Sequence, residues 1–239
     1  MTSLGTRMIE ALGPINVINL PERRDRRREF ERQLRRLGLD YDNAGVTLFA
    51  AVRPDSPAGF PTIGARGCFL SHLEVLRSAR DRGAERITIC EDDLDFSADF
   101  ERRAAPIFDA LAGTQWDMFY GGLDAATHGP VAGSELGRLD PGQRVLRTHF
   151  LALRRPAITA LVPYLEAITW REPGDPAGGP MHVDGAYSHF RADHPEIVTL
   201  AVSPALGYQR ASRTDVHDLR WFDRLPGFRE MAHLYRRLR

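Results

Sequence analysis

Residues 87–93 read Ile-Thr-Ile-Cys-Glu-Asp-Asp, a short apolar run that leads directly into three carboxylates. The apolar part predicts a buried strand, and open α/β sheets bind ligands beyond the carboxyl ends of their strands. Adjacent carboxylates repel each other unless a cation neutralises them, and oxygen ligands suit Mg²⁺ or Mn²⁺. Glu91, Asp92 and Asp93 are therefore candidates for a divalent-cation site. The alternative is a solvated helix N-terminus, capped by Ser97 or Asp99.

Strands and helices alternate on both sides of this stretch. Apolar runs predict further strands at residues 15–20, 48–52, 116–120, 144–153 and 197–202. Between them, apolar residues recur at the three- and four-residue spacing of helices, and glycines follow several of these segments. The pattern predicts a Rossmann-type α/β/α sandwich with a mixed central sheet, mostly parallel, with antiparallel strands in its second half.

The composition limits the classes of function. The chain has 239 residues, with 32 basic residues, all arginine, balanced by 32 acidic ones. One domain is expected at this length, lysine nucleophiles are excluded, and the neutral charge disfavours a nucleic-acid partner. No apolar stretch is long enough for a membrane span, and residues 1–12, which lack an apolar core, are not expected to act as a secretory signal. Cys68 and Cys90 are too few for a disulfide framework, so a cytoplasmic location is expected.

Arginines follow the first predicted strand. Asn19 and Leu20 end that strand, and Arg23 and Arg26 come at the start of the next helix. Guanidinium groups beside helix N-terminal amides suit a phosphate-bearing ligand. The alternative is a charged, solvent-facing helix surface, to which the neighbouring arginines are assigned.

Two further segments carry polar side chains that could take part in catalysis. Ser71 and His72 are adjacent, but neighbours on a helix point in different directions, so polar packing is expected in preference to a hydrolase site. Asp184 follows a glycine-rich loop and could act as a general base or only cap a helix. A zinc site is not expected, because known zinc spacings are not matched by the histidines at 182, 189, 194 and 217.

Taken in order, these segments resemble glycosyltransferase family 25, the bacterial lipooligosaccharide and animal collagen galactosyltransferase group. The resemblance is carried by Ile18-Asn19-Leu20 with Arg23 and Arg26, Ala51-Val52, Gly67 through His72, the strand into Glu91-Asp92-Asp93, Trp116-Asp117 with Gly121-Gly122, Pro204 with Gln209, and Ser212 through Val216. It extends over nearly the whole chain.

The resemblance implies a GT-A type, metal-dependent, inverting transferase that uses a UDP-sugar, with galactose or a related hexose as the expected sugar. Asp93 and Asp92 are then the expected ligands of Mn²⁺ or Mg²⁺. Asp184 is the first candidate for the base that deprotonates the acceptor, and Asp124 is the second. The expected donor-binding residues are Asn19, Leu20, Arg23, Arg26, Ser71, His72, Glu91, Asp92 and Gln209.

The expected organisation is one domain over residues 1–239. Residues 15–120 form its nucleotide-sugar half, residues 121–220 its acceptor half, and residues 221–239 an amphipathic helix. That helix is expected to pack on the core, with weak contact to an anionic membrane surface as the alternative. The expected partners are the donor and a glycan or lipid-linked acceptor, in cell-envelope synthesis. The alternative function is a non-catalytic nucleotide-sugar-binding module.

Overall fold

The computed structural model describes residues 3–123 and 135–210. The helices are α1 (Leu4–Leu12), α2 (Arg24–Arg36), α3 (Ile63–Asp81), α4 (Phe100–Ala112), α5 (Arg155–Trp170) and α6 (Val183–Asp193). The strands are β1 (Ile15–Asn19), β2 (Val46–Ala50), β3 (Arg86–Glu91), β4 (Leu94–Phe96), β5 (Met118–Tyr120), β6 (Leu136–Arg138), β7 (Phe150–Arg154), β8 (Thr199–Val202) and β9 (Gly207–Gln209).

Within the described residues, seven strands form one mixed sheet in the order β2-β1-β3-β7-β5-β8-β6. The pairs β1–β2, β1–β3 and β5–β8 are parallel, whereas β3–β7, β5–β7 and β6–β8 are antiparallel. The predicted α/β sandwich with a mixed sheet is confirmed. Only half of the strand pairs are parallel, however, because β7 inserts between β3 and β5.

Helices cover both faces of this sheet. The side chains of Ile87 and Ile89 on β3 pack with α3, α5 and α6 on one face. On the other face, Cys90 of β3 and Phe150 of β7 pack with α1, α2 and α4. The alternation follows from the two-residue period of a strand, which sends successive side chains to opposite faces.

The strand directions bring distant parts of the chain to one edge of the sheet. β1 and β3 are parallel and end at Asn19 and Glu91, while the antiparallel β7 begins at Phe150 beside that same edge. The turn from β1 into α2, the acidic run and the segment before β7 therefore meet there. A separate two-stranded sheet, β4 with β9, lies just beyond the acidic run.

Several elements differ from the sequence-based expectation. The predicted strand over residues 144–153 is wrong for its first part, because the amides of Val145 and Arg147 donate to the side chains of Ser188 and Asp184 instead of joining a ladder. β2 begins and ends two residues earlier than predicted. Helices α1 and α6 and strands β4, β6 and β9 were not predicted.

Three of the expectations lie outside the described residues. These are the second candidate base, Asp124, the segment Ser212 through Val216 that carries part of the resemblance, and the amphipathic helix over residues 221–239. Among the helices of residues 3–123 and 135–210, none combines the length and the apolar character that crossing a bilayer requires.

Candidate active site at the carboxyl edge of the sheet

Asp92 is held by two side chains from the β1–α2 turn. Arg26 Nη1 donates to Asp92 Oδ1 at 2.9 Å, and Asn19 Nδ2 donates to Asp92 Oδ2 at 2.7 Å. Arg26 and Asp92 are 8% and 6% exposed, so this is a buried ion pair. Burial raises the pKa of Asp92 above its ordinary value, although the nearby guanidinium of Arg26 acts in the opposite direction. Both carboxylate oxygens of Asp92 are therefore already engaged within the protein.

Asp93 is bonded less completely than Asp92. Its Oδ2 atom lies 3.3 Å from Arg26 Nη1 and accepts a bond from Gln209 Nε2 at 3.2 Å. Its Oδ1 atom is buried and has no hydrogen-bond partner among the described residues. Burial, followed by the negative charge of Glu91, raises the pKa of Asp93 to about 7. An oxygen atom in this state fits a hard cation, which would remove the cost of burying the charge.

Glu91 is stabilised from the opposite side. Thr148 Oγ1 donates to Glu91 Oε1 at 2.8 Å, and His72 Nε2 lies 3.6 Å from the same oxygen. Burial raises the pKa of Glu91, but His72, His149 and Thr148 outweigh burial and bring the pKa below its ordinary value. Glu91 therefore carries a negative charge directly beside Asp93.

Ser71 and His72 have separate roles, as their adjacent helical positions predict. Ser71 Oγ donates to Gly67 O at 2.7 Å and accepts from Val52 N at 2.8 Å, which ties α3 to the segment after β2. His72 Nδ1 lies 3.2 Å from Tyr187 Oη on α6. Ser71 is fully buried and its hydroxyl bonds within the chain, so the structure brings His72 to the carboxylates but not Ser71.

Asp184 lies in the first turn of α6 and is joined to Asp93 through two side chains. Its Oδ1 atom accepts from the amide of Gly185 at 2.8 Å, and its Oδ2 atom accepts from the amide of Arg147 at 3.2 Å. Arg147 Nη1 donates to Gln209 Oε1 at 3.1 Å, and Gln209 Nε2 reaches Asp93. The backbone and side chain of Arg147, together with Gln209, thus connect the candidate base with the candidate metal ligand.

The remaining predicted donor-binding residues form the β1–α2 turn. The amide of Arg23 donates to Leu20 O at 2.8 Å, and Asn19 Nδ2 reaches Arg23 O at 3.3 Å. The Arg23 guanidinium forms two bonds with Asp25. This turn holds the backbone at the start of α2 beside the acidic run.

Several residues that build the edge were not predicted from the sequence. Arg147 adopts a positive φ of 79°, which the sequence gives no reason to expect, and it links Asp184 with Gln209. Asp95, two residues after Asp93, is paired with Arg210 rather than facing the acidic run. The amide of Arg210 also donates to Asp93 O at 2.7 Å, so this pairing fixes the backbone of the site.

An α/β sandwich with carboxylates, arginine and amide side chains gathered at the carboxyl edge of its sheet is typical of proteins that bind phosphorylated ligands. Residues 13–122 match the family model described as "Glycosyltransferase family 25 (LPS biosynthesis protein)". Nearly half of the chain is therefore similar to glycosyltransferase family 25.

The relatives that match are much longer than this chain. Procollagen galactosyltransferase 1-B of Xenopus laevis is 31% identical over an alignment of 123 residues, and the match covers 44% of this chain and 20% of that protein. A human relative named "Inactive glycosyltransferase 25 family member 3" is 30% identical over 80 residues, 33% of this chain and 13% of that protein. The chain therefore spans about a fifth of the length of the first of these curated relatives.

A solved structure of a glycosyltransferase involved in the glycosylation of the major capsid of PBCV-1 is similar at a TM-score of 0.42 and 10% identity, covering 84% of this chain and 94% of that one. The family match ends at residue 122, before Arg147, Asp184 and Gln209. The contacts of Arg147, Asp184 and Gln209 therefore lie outside the family match.

Proposed function

We propose that this chain is an inverting glycosyltransferase of the GT-A type that transfers a hexose from a UDP-sugar to a hydroxyl group of a glycan or lipid-linked acceptor. The observation that carries the proposal is the bonded chain from Asp93 through Gln209 and Arg147 to Asp184. The proposal is supported because these contacts link a carboxylate suited to a cation with a carboxylate suited to a base, in a chain whose residues 13–122 are similar to a glycosyltransferase family.

Asp93 is the first candidate ligand for Mn²⁺ or Mg²⁺, because its buried Oδ1 has no hydrogen-bond partner among the described residues. Asp92 is the second candidate, although Arg26 and Asn19 engage both of its oxygens. When bound, the cation supplies Lewis-acid stabilisation of the charge that develops on the departing diphosphate. Arg26 contributes positive charge at the same place, and its contact with both aspartates fixes its position.

The donor is expected to lie over the β1–α2 turn. Asn19 and Leu20 end β1, Arg23 begins the turn into α2, and the backbone amides that follow are suited to phosphate oxygens. His72 on α3, Glu91 on β3 and Gln209 on β9 are proposed to lie around this region. Ser71 contributes by holding α3 to the segment after β2.

Asp184 is proposed as the base that takes the proton from the acceptor hydroxyl as that oxygen attacks the anomeric carbon. The two backbone amides that donate to Asp184 fix the orientation of its carboxylate. A single displacement with a base on the opposite side from the leaving group inverts the anomeric configuration. Asp124 is kept as the second candidate.

The names of the relatives support galactose as the first sugar to test, and the family description supports an acceptor in envelope polysaccharide synthesis. The two free cysteines support a reducing compartment, which we propose is the cytoplasm. We further propose one transferase domain, with residues 15–120 as its nucleotide-sugar half and residues 121–220 as its acceptor half. Residues 221–239 could add weak peripheral contact with an anionic membrane.

The test is a screen of nucleotide sugars against the full chain, with and without Mn²⁺, read first as thermal stabilisation and then as sugar transfer. A ligand bound only by the native state raises the unfolding temperature, and UDP-sugars are expected to do so only with the cation present. A chain that no UDP-sugar stabilises under any condition would contradict the proposal.

A second candidate function is a non-catalytic nucleotide-sugar-binding module. It is favoured by the human relative that is named inactive. The same screen separates the two functions, because a module of this kind would be stabilised by the UDP-sugar but would not transfer its sugar to any acceptor.

A further inference from the structure

A second group of ligand atoms lies next to the acidic run but differs from it chemically. Cys68 and His72 are four residues apart on α3, so they share one face of the helix. Glu91, at the end of β3, faces them. The thiol sulfur, one imidazole nitrogen and one carboxylate oxygen of these residues all lie within 4.8 Å of one another.

His72 provides the independent sign of a ligand. It is fully buried, and its Nε2 atom, which points towards Glu91 Oε1 at 3.6 Å, has no hydrogen-bond partner among the described residues. A buried imidazole nitrogen without a hydrogen bond is costly unless something else occupies its lone pair or its proton.

Both polar ligands also have the outer partners that metal sites use. His72 Nδ1 lies 3.2 Å from Tyr187 Oη, and a ligating histidine usually donates its other ring N–H to such an acceptor. Thr148 Oγ1 donates to Glu91 Oε1 at 2.8 Å, which orients that carboxylate. The imidazole can thus present the lone pair of Nε2 while Nδ1 carries the proton.

We propose that Cys68, His72 and Glu91 bind a zinc ion, at a site distinct from the hard-cation site proposed at Asp93. Sulfur, imidazole and carboxylate together select a borderline-soft ion such as Zn²⁺ over Mg²⁺. Tetrahedral ligation at about 2.0–2.3 Å sets neighbouring ligand atoms roughly 3.3–3.6 Å apart, close to the 3.6 Å between His72 and Glu91. Three protein ligands leave the fourth position to a water molecule. The proposal does not depend on the transfer activity.

The two cysteines of the chain provide a matched pair of variants. Cys68 belongs to the group, whereas Cys90 is fully buried among apolar side chains on the other face of the sheet. The full chain, reduced, free of any tag and stripped of metal, is titrated with Co²⁺ as a spectroscopic substitute for zinc. A near-ultraviolet thiolate-to-cobalt charge-transfer band is expected in the wild type and in Cys90→Ala but not in Cys68→Ala.

Competition with Zn²⁺ then gives the affinity. Cys68→Ala is expected to weaken zinc binding by about 100-fold or more, since losing only an outer partner costs about 10- to 100-fold. Asp93→Asn is expected to retain the charge-transfer band, which separates this site from the cation site of the proposed transferase. Equal zinc affinity in Cys68→Ala and Cys90→Ala would overturn the proposal, because the ion would then be bound elsewhere.

A measurement on the wild type alone guards against a variant that fails to fold. Cys68 is partly exposed and Cys90 is buried, so a thiol-alkylating reagent is expected to label Cys68 first. Stoichiometric Zn²⁺ is expected to slow that labelling by at least about tenfold, as for a thiolate withdrawn by a metal, while Mg²⁺ has no effect. Labelling of Cys68 at the same rate with and without Zn²⁺ would refute the site.

Discussion

Replacing Asp93 with asparagine should stabilise the metal-free protein at alkaline pH. Burial and the charge of Glu91 raise the pKa of Asp93 from 3.8 to about 7. A carboxyl whose pKa is raised by folding favours the folded state at low pH. That contribution is complete below about pH 4 and is lost as the pH rises through about 7. An asparagine never ionises, and its amide can still accept from Gln209 and Arg26 at the position of Oδ2.

The size of the effect follows from the two pKa values. The interval between 3.8 and about 7 corresponds to roughly 4 kcal/mol of unfolding free energy once Asp93 is fully ionised. Because part of this cost is already present near pH 5, the advantage of Asp93→Asn over the wild type should grow by about 2 to 3 kcal/mol between pH 5 and pH 8. Below about pH 4 the two proteins should differ little from this cause.

His149 acts in the opposite direction and must be separated from Asp93. Burial lowers the pKa of His149 from 6.5 to about 4, so the stability of the wild type falls as the pH drops through that interval. Both proteins carry His149, and its contribution therefore cancels in the difference between them. The predicted quantity is this difference, not the stability profile of either protein alone.

The assay is urea unfolding in the presence of EDTA at several pH values. Asp99→Asn is the control of opposite sign. Burial raises the pKa of Asp99, but the Ser97 hydroxyl and Arg103 outweigh burial and lower it, so this variant should lose stability at neutral pH. A difference between Asp93→Asn and the wild type that stays constant from about pH 5 to pH 8 would refute the reasoning.

Three further outcomes are expected. Calorimetry should show that UDP binds only with Mn²⁺ or Mg²⁺ present, and Asp93→Ala should abolish that dependence; unchanged, metal-independent UDP affinity in the variant would contradict the metal assignment. Asp184→Asn should lower kcat by about two to four orders of magnitude while donor affinity measured by calorimetry stays near that of the wild type; near-normal turnover would exclude Asp184 as the base. Arg26→Gln should reduce the unfolding free energy, measured in urea, by about 3 to 5 kcal/mol, because it leaves Asp92 buried without its cation. The control Arg35→Gln removes an exposed ion pair and should cost less than about 1 kcal/mol. Equal losses in the two variants would contradict a special contribution of the buried pair.

The link between the strand and its carboxylates was predictable because both are local. A run of β-branched residues followed by three acidic ones places the acids at a strand end regardless of the rest of the chain. The pairing of Arg26 with Asp92 was not predictable, since it depends on β1 lying beside β3 in parallel register. From the sequence alone, Arg26 was as compatible with binding a ligand phosphate as with a solvent-facing position. Nothing in the sequence indicated that an arginine neutralises part of the negative charge of the acidic run.

The setting of Asp184 was hidden for a different reason. Gly185 in the first turn of α6, together with the glycines and prolines of the preceding loop, weakens the helical signal of that segment. The contact between Arg147 and Asp184 also requires a backbone with positive φ, which favours glycine and is uncommon for arginine. Tertiary contacts in this region override local preference, so only the structure brings Asp184, Arg147 and Gln209 together.

Two groups of residues at the carboxyl edge of the sheet differ in how well they distinguish an enzyme from a binding module. The first group is Asn19, Arg26 and Asp92, and the second is Asp184, Arg147 and Gln209. The cluster of Asn19, Arg26 and Asp92 lies within the residues that match the family model, and a protein that only binds a nucleotide sugar could keep it unchanged. The proposed base Asp184 and its partners Arg147 and Gln209 lie outside that match, and the proposal of catalysis depends on them. If the chain binds a UDP-sugar but transfers no sugar, the cause is therefore expected to lie in the second group. Asp184→Asn, tested in parallel for donor binding and for turnover, distinguishes the roles of the two groups, because only turnover should change.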